Sequence, residues 1–321
     1  VFAENLSFEF GIGSLFSGNY EVNELDVDDA IFNLKVDEKG NENYIFWKES
    51  TNKDTTENDL GFKLNEVNFN DVALNYENIK LGSQANVYLN ETSFSGDFSS
   101  DSSILTIDSD LLINQISSDS NVYFANKPSK LMVERSKFTT SEIVLDNGKV
   151  TIGEMTLDFN SFFDLKKKTS KINAIAGNVS ISDVFTLMPN EVSKKLQAYK
   201  TDGNVNGTIE ILTKKNQEIP TINSVFNIAQ GTITETSSGV KLNDLKLDGT
   251  YELSPWKQRI ELTKGSGNLN GGVFSITGKM IGKNIQTIFS SVQGDLELTD
   301  LQQFLKIERI EEMSGQIKLN N

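Results

Sequence analysis

The chain has no histidine, no cysteine and only four prolines in 321 residues, and each absence closes a route to function. Without imidazole or thiol there is no Ser-His-Asp or Cys-His nucleophile and no zinc site built from nitrogen and sulfur ligands. Carboxylates, lysine, tyrosine and hydroxyls are the chemistry that remains, so the chain reads as non-enzymatic and cofactor-free. A disulfide framework is excluded, although a cysteine-free chain is compatible with an oxidising compartment. Nothing approaches the roughly 18 apolar residues a spanning helix needs, and no charged-then-apolar segment opens the chain. Basic clusters are also scarce. Thirty Lys and Arg stand against 45 Asp and Glu, a net charge of −15, which disfavours nucleic acid as a partner. The small run Lys166-Lys167-Lys168, with Lys171 behind it, reads as a solvated strand end or turn.

What is present is alternation. Leu6, Phe8 and Phe10 alternate with polar residues, and Ile31 to Val36 continues the pattern into a turn at Asp37-Glu38-Lys39-Gly40-Asn41, with Tyr44 to Trp47 returning as a hairpin. The stretch from Glu49 to Asp59 has no apolar residue and reads as a loop. Beyond it the pattern resumes, as about 20 short strands joined by short connections of the antiparallel meander kind. Gly249, Gly271, Gly272 and Gly278 mark expected bulges or turns. Parallel units look excluded for want of crossover helices.

Two stretches repeat one instruction, 117 residues apart from Asp183 to Asp300. Ile181-Ser182-Asp183-Val184 precedes Gly203-Asn204-Val205, and Leu298-Thr299-Asp300-Leu301 precedes Gly315-Gln316-Ile317. Each predicts strand, capped helical turn, strand, with Asp183 and Asp300 as the helix caps. Between Ser182 and Tyr199 a short broken helix is expected, with Pro189 starting its second part and Val192, Leu196 and Tyr199 on one face. Val184, Leu187, Leu301 and Phe304 are expected to cover one edge of the sheet. The helical interruption divides the chain into segments 1–181 and 182–321.

Other motifs have bland readings. Asp202 to Gly207 matches half of a calcium loop, but position twelve is Thr213 and the flanks alternate like strands, so a Gly/Asn turn entering a strand is the better reading and no metal is expected. Carboxylate neighbours such as Asp28-Asp29 and Glu311-Glu312 do not show the facing pair that a hydrolase needs.

The run Phe8 to Val22 (FEFGIGSLFSGNYEV), continued by Leu25 to Leu34 and by the turn before Tyr44 and Trp47, resembles the AsmA family. Leu247-Asp248-Gly249-Thr250-Tyr251-Glu252-Leu253 and Gly267 to Phe274 are similar to that family's recurring strand text. The resemblance implies an inner-membrane-anchored protein of Gram-negative bacteria with a β-rich periplasmic body, related to TamB and chorein-type bridge-like lipid transfer proteins. It further implies phospholipid acyl chains as the partner and a part in outer-membrane lipid homeostasis. The anchor would lie in a segment preceding Val1, since the chain opens inside a strand pattern without an initiator Met.

The fold expected is mainly β: an elongated, curled antiparallel sheet forming an open groove, with one or two short helices. Roughly 20 strands side by side would extend about 95 Å. Phe8, Phe10, Leu247, Tyr251, Phe274 and Ile276 are the expected groove residues. The same alternation also fits a structural or adhesive β protein with a closed core that binds protein or glycan. Pattern alone leaves both open.

Overall fold

The computed structural model describes residues 2–10, 22–44, 64–98, 102–118, 121–186, 190–215, 217, 219–282, 287–306 and 314–319. Its first eight strands are β1 (Phe2–Phe10), β2 (Val22–Val36), β3 (Glu66–Asn78), β4 (Ser83–Asp97), β5 (Ser102–Ser118), β6 (Asn121–Thr139), β7 (Glu142–Ile152) and β8 (Met155–Asp164). β9 (Thr169–Ser180) leads through helices α1 (Ile181–Thr186) and α2 (Asn190–Leu196) into β10 (Tyr199–Thr213). β11 (Thr221–Glu235), β12 (Lys241–Ser254), β13 (Lys257–Leu269), β14 (Gly272–Ile281) and β15 (Thr287–Glu297) follow, then α3 (Leu298–Leu305) and β16 (Gln316–Leu319). The hydrogen-bonded order follows chain order, β1 to β16, in one sheet. The mainly β architecture with short helices is therefore as expected.

Among the described residues the sheet has 16 strands, and several apparent strand ends are changes of phase within one strand. Asp71 has a left-handed backbone, φ 55°, yet β3 runs through it. The extra residue moves the apolar set from Val67 and Phe69 to Val72 and Leu74 while keeping it on one face. Read with a period of two, such a phase change looks like the end of one strand and the start of another.

Contacts divide the chain into two compact units. Unit 1 comprises Val1–Gly153 and Phe162–Lys166, and unit 2 comprises Glu154–Ser161 and Lys167–Asn321. The division precedes the expected one at residue 181, because α1 and α2 connect an antiparallel pair, β9 and β10, registered Asn204 to Ser180. That connection lies inside unit 2 and starts nothing new.

In unit 1 the expectation of purely antiparallel pairing is corrected at one place: β2 and β3 are parallel. Glu24 stands beside Glu66 and Val36 beside Asn78, so the chain must travel back about 40 Å between them at ~3.3 Å per residue. Residues 37–65 are long enough to do so, and a crossover of that length needs no helix to supply reach. The turn at its start is as read from the sequence. Asp37 accepts hydrogen bonds from the Asn41 backbone N–H at 2.8 Å and from Asn41 Nδ2 at 2.7 Å. Glu42 bridges back to Val36; the expected return to Trp47 lies outside the described residues beyond Tyr44.

The parallel pair also carries a repeat. Asn23-Glu24-Leu25-Asp26-Val27-Asp28-Asp29-Ala30 matches Asn65-Glu66-Val67-Asn68-Phe69-Asn70-Asp71-Val72 at an offset of 42. Asp29, φ 50°, and Asp71 are matched left-handed bulges. The polar face is a ladder: Asn68 Nδ2 donates to Asp26 at 3.1 Å, Asn70 to Asp28 at 2.9 Å and Asn75 to Asn33 at 3.0 Å. These amides sit between carboxylates that repel one another; Asp26, then burial and Glu66, push the Glu24 carboxyl above its usual value.

Unit 2 turns tightly. Leu269 pairs with Gly272, leaving Asn270 and Gly271 as a two-residue loop with φ 50° and 108°. Positive φ at both positions is what a type I′ hairpin requires. Lys166-Lys167-Lys168 forms the turn between β8 and β9, as anticipated, and Lys171 pairs with Glu210 at 2.6 Å. The calcium-like run lies inside β10, with Gly203 at φ 110° in a bulge.

Candidate functional site

The candidate site is the apolar face of the sheet, built separately in each unit. In unit 1, register sets Phe8 beside Leu25, Leu25 beside Val67, Val67 beside Phe94, Phe94 beside Ile107 and Ile107 beside Val133. This is an apolar row crossing six strands. Phe32, Phe69 and Phe94 stack edge to face along the surface, with centroids 6.2 and 5.9 Å apart. Val27, Ala30, Val72 and Leu89 form the buried cluster beneath. Where Thr92 and Ser109 interrupt the apolar run, their hydroxyls bond each other at 2.6 Å, which removes the cost of burying them singly. Phe8 is 47% exposed on β1, an outer strand of the order.

In unit 2 one row runs Ile228, Leu247, Gly265, Ile276, Val292 across five strands. A second runs Ile209, Ser224, Tyr251, Ile260, Met280, Ile288 across six. Leu247, Tyr251, Phe274 and Ile276 therefore share one face, as their alternation implied. Leu247 and Phe274 are half-buried against the cluster of Ile181, Ile228, Val240, Leu242, Leu245, Leu269 and Leu296. Ile288 remains 68% exposed. The backbone of Phe10 pairs with Val22 through a register shift; its side chain lies outside the described residues.

Glycine makes this packing possible beyond the bulges and turns expected of it: Gly249 stands at a register shift in β12, and Gly278 lies within β14 opposite a shift in β13. A Cβ on Gly265 would stand 2.6 Å from Ile276 Cγ2 and 3.2 Å from Leu247 Cδ2. On Gly267 it would meet Leu242 Cδ1 at 2.6 Å, and on Gly294 the Phe274 Cβ at 2.7 Å. Large side chains of one strand thus lie over glycines of the next, which leaves room for bulky residues on one side of the sheet.

The helices cover one end of the unit 2 face. Phe185 of α1 and Leu301 and Phe304 of α3 pack against the buried cluster. Val184 is not among them, Leu187 and Pro189 lie outside the described residues, as does the side chain of Val192, and Tyr199 begins β10 instead of closing α2. The two caps require correction. At α1 the Asp183 N–H donates to Ser180 Oγ at 3.0 Å, so Ser180 is the capping side chain and Asp183 sits within the first turn. At α3 the N-cap is Glu297, with no side-chain cap bond. Asp300 instead accepts a bond from Asn270 Nδ2 at 3.0 Å, tying the helix to the β13–β14 turn. Each cap position lies three residues earlier than the pattern suggests, because the helix starts directly at Ile181 and at Leu298.

The least expected residue is Glu235, whose side chain is fully buried. Its carboxylate accepts from Lys306 Nζ at 2.8 Å, the Ser238 N–H at 2.6 Å, Ser238 Oγ at 2.7 Å and the Ser237 N–H at 3.0 Å. The Lys306 ammonium foremost, and then the Ser238 N–H, hold its carboxyl well below the usual range against the opposing effect of burial. Sequence offers only a weak signal for it: an acidic residue ending an apolar strand before Thr236-Ser237-Ser238-Gly239. These bonds organise a turn and anchor α3.

Among the described residues no group of acidic side chains is placed to hold a metal ion, and no helix is long and apolar enough to cross a membrane. Comparison with family models, with curated proteins and with solved structures finds no significant match to this chain.

Proposed function

We propose that this chain is a non-enzymatic lipid-binding segment whose sheet holds or conducts phospholipid acyl chains along its apolar face. The observation that carries the reading is the set of apolar rows that register lines up across six strands in unit 1 and across five and six strands in unit 2. Six strands at ~4.8 Å span about 24 Å, more than the ~15 Å hydrocarbon depth of one leaflet. Each covered methylene contributes about 0.8 kcal/mol, so contact with part of an acyl chain suffices for binding without any reactive group. On the opposite face of β2 and β3 a ladder of amides and carboxylates keeps that side in water.

The resemblance of residues 6–47 and 179–319 to the AsmA family extends the proposal: a periplasmic body attached to the inner membrane through an anchor outside this chain, serving outer-membrane lipid homeostasis. The closed-core adhesive alternative is less well supported, since Leu6 and Ile288 stay more than half exposed on the apolar face and Phe8 nearly half. Native mass spectrometry of gently purified protein should show phospholipid adducts, which Ile276→Asp should strip. Lipid-free protein, folded and monodisperse, would sink the reading.

A further inference from the structure

α3 packs, through Leu301 and Phe304, against the buried cluster that Leu247 and Phe274 also flank, yet none of its residues is fully buried. What fixes it is polar and comes from three different places. Asn270 in the β13–β14 turn bonds Asp300 at 3.0 Å. Tyr199 at the start of β10 donates its hydroxyl to the Phe304 carbonyl at 2.7 Å, with the two rings edge to face at 5.6 Å. Lys306 reaches the buried carboxylate of Glu235 at the end of β11. A helix that follows β15 is thereby fastened back onto β10 and β11.

The residue at the helix end is informative. Lys306 has φ 51° and ψ 52°, and its N–H closes onto the Gln302 carbonyl. Glycine is the residue that such a left-handed end ordinarily favours, since any Cβ is strained there. Lysine accepts that strain and gains the ion pair with Glu235, so this position serves the fastening more than the helix. A helix of eight residues is also too short to persist alone in water, and once unfastened it would leave the face.

We propose that α3 is a detachable strap: Leu301 and Phe304 occupy the same end of the apolar face that an acyl chain would take, and the strap and the lipid compete for it. The inference rests on the lipid-binding reading above. It assigns Tyr199, Glu235 and Lys306 a positioning role, and it makes lipid uptake depend on how firmly three polar contacts hold.

The probe is cis-parinaric acid, added to delipidated protein and read by its fluorescence. In the triple variant Tyr199→Phe/Glu235→Gln/Lys306→Gly the helix keeps a favourable end and no buried charge is orphaned. Its apparent Kd should fall about tenfold, because the competent state is no longer rare, and amides 298–306 should exchange faster. Faster exchange with unchanged or weaker binding overturns the strap, and so does unchanged exchange, which would mean that other contacts hold the helix. The unmodified protein gives a check free of folding artefacts: saturating probe should speed hydrogen exchange at 298–306, and slowed or unchanged exchange refutes competition. If neither protein binds the probe at all, the lipid-binding reading fails and the strap falls with it.

Discussion

The two units make an apolar face by opposite means. Unit 1 fills its face: Val27, Ala30, Val72 and Leu89 are buried under Phe32 and Phe69, and a ladder of amides and carboxylates on the other side holds β2 and β3 in register. Unit 2 empties alternate positions, setting Gly265, Gly267 and Gly294 beneath Ile276, Leu242 and Phe274, and then covers one end with helices. A face that carries bulky side chains needs room for them. Both units find some of it through changes of phase along a strand, and unit 2 adds to it by deleting side chains.

That contrast predicts opposite responses to volume. In unit 2, Gly265→Val should lose about 3 kcal/mol, because its first added carbon already meets Ile276 and the backbone carbonyl of that residue at 3.0 Å; urea unfolding measures it, and a neutral result would remove glycine from the account. In unit 1 the loss comes from taking volume away. Val72 is 0% exposed, and Val72→Ala should cost about 2 kcal/mol for two lost methyls and the cavity.

Acid should separate the units next. The Glu235 carboxyl is depressed in the fold, so its stabilisation is fully present above the unfolded value near 4.5 and is lost as pH falls toward the folded value. Unit 2 should therefore loosen around α3 below about pH 4.5, and Glu235→Gln should remove that pH dependence. A pH profile identical in the variant would place the acid sensitivity elsewhere.

Backbone strain sets a smaller effect. Asp71→Val should cost about 1–2 kcal/mol because a β-branched residue resists the left-handed region, whereas Asp71→Gly should cost less and lose mainly the bond from the Tyr88 hydroxyl at 3.0 Å. The smallest expected difference is between the capping side chain and its neighbour. Ser180→Ala should cost about 1 kcal/mol, and Asp183→Ala about 0.3–0.5 kcal/mol through the helix dipole alone. Equal losses would restore Asp183 as the cap.

Alternation made the sheet legible, along with both helical interruptions, the Asp37 turn and the shared face of Leu247, Tyr251, Phe274 and Ile276. It failed where the physics is not periodic. Asp29 and Asp71 shift the phase without ending a strand, so an accurate count required knowing that Asp tolerates φ near 50° there. The parallel pair was hidden because crossover helices were taken as necessary, although Asn23-Glu24 and Asn65-Glu66 begin a visible repeat. The caps were misplaced by residues that only the observed helix start could order. Gly249 and Gly278 carry no local sign that a neighbouring strand's side chain or backbone needs their space.

The offset of 42 between β2 and β3 also bears on how the chain assembles. β3 meets β4 across a four-residue turn, from Asn78 to Ser83, while each residue of β2 waits for one 42 positions later. Loop-closure entropy makes the longer pairing about 2 kcal/mol harder to initiate. On a ribosome adding about 5–20 residues per second, β2 is exposed for roughly 2–8 s before its partner is even synthesised. The β3–β4 hairpin should then nucleate and recruit β2 afterwards, with the amide ladder selecting the register on arrival, so the delay in this sheet's birth is written in its parallel pair.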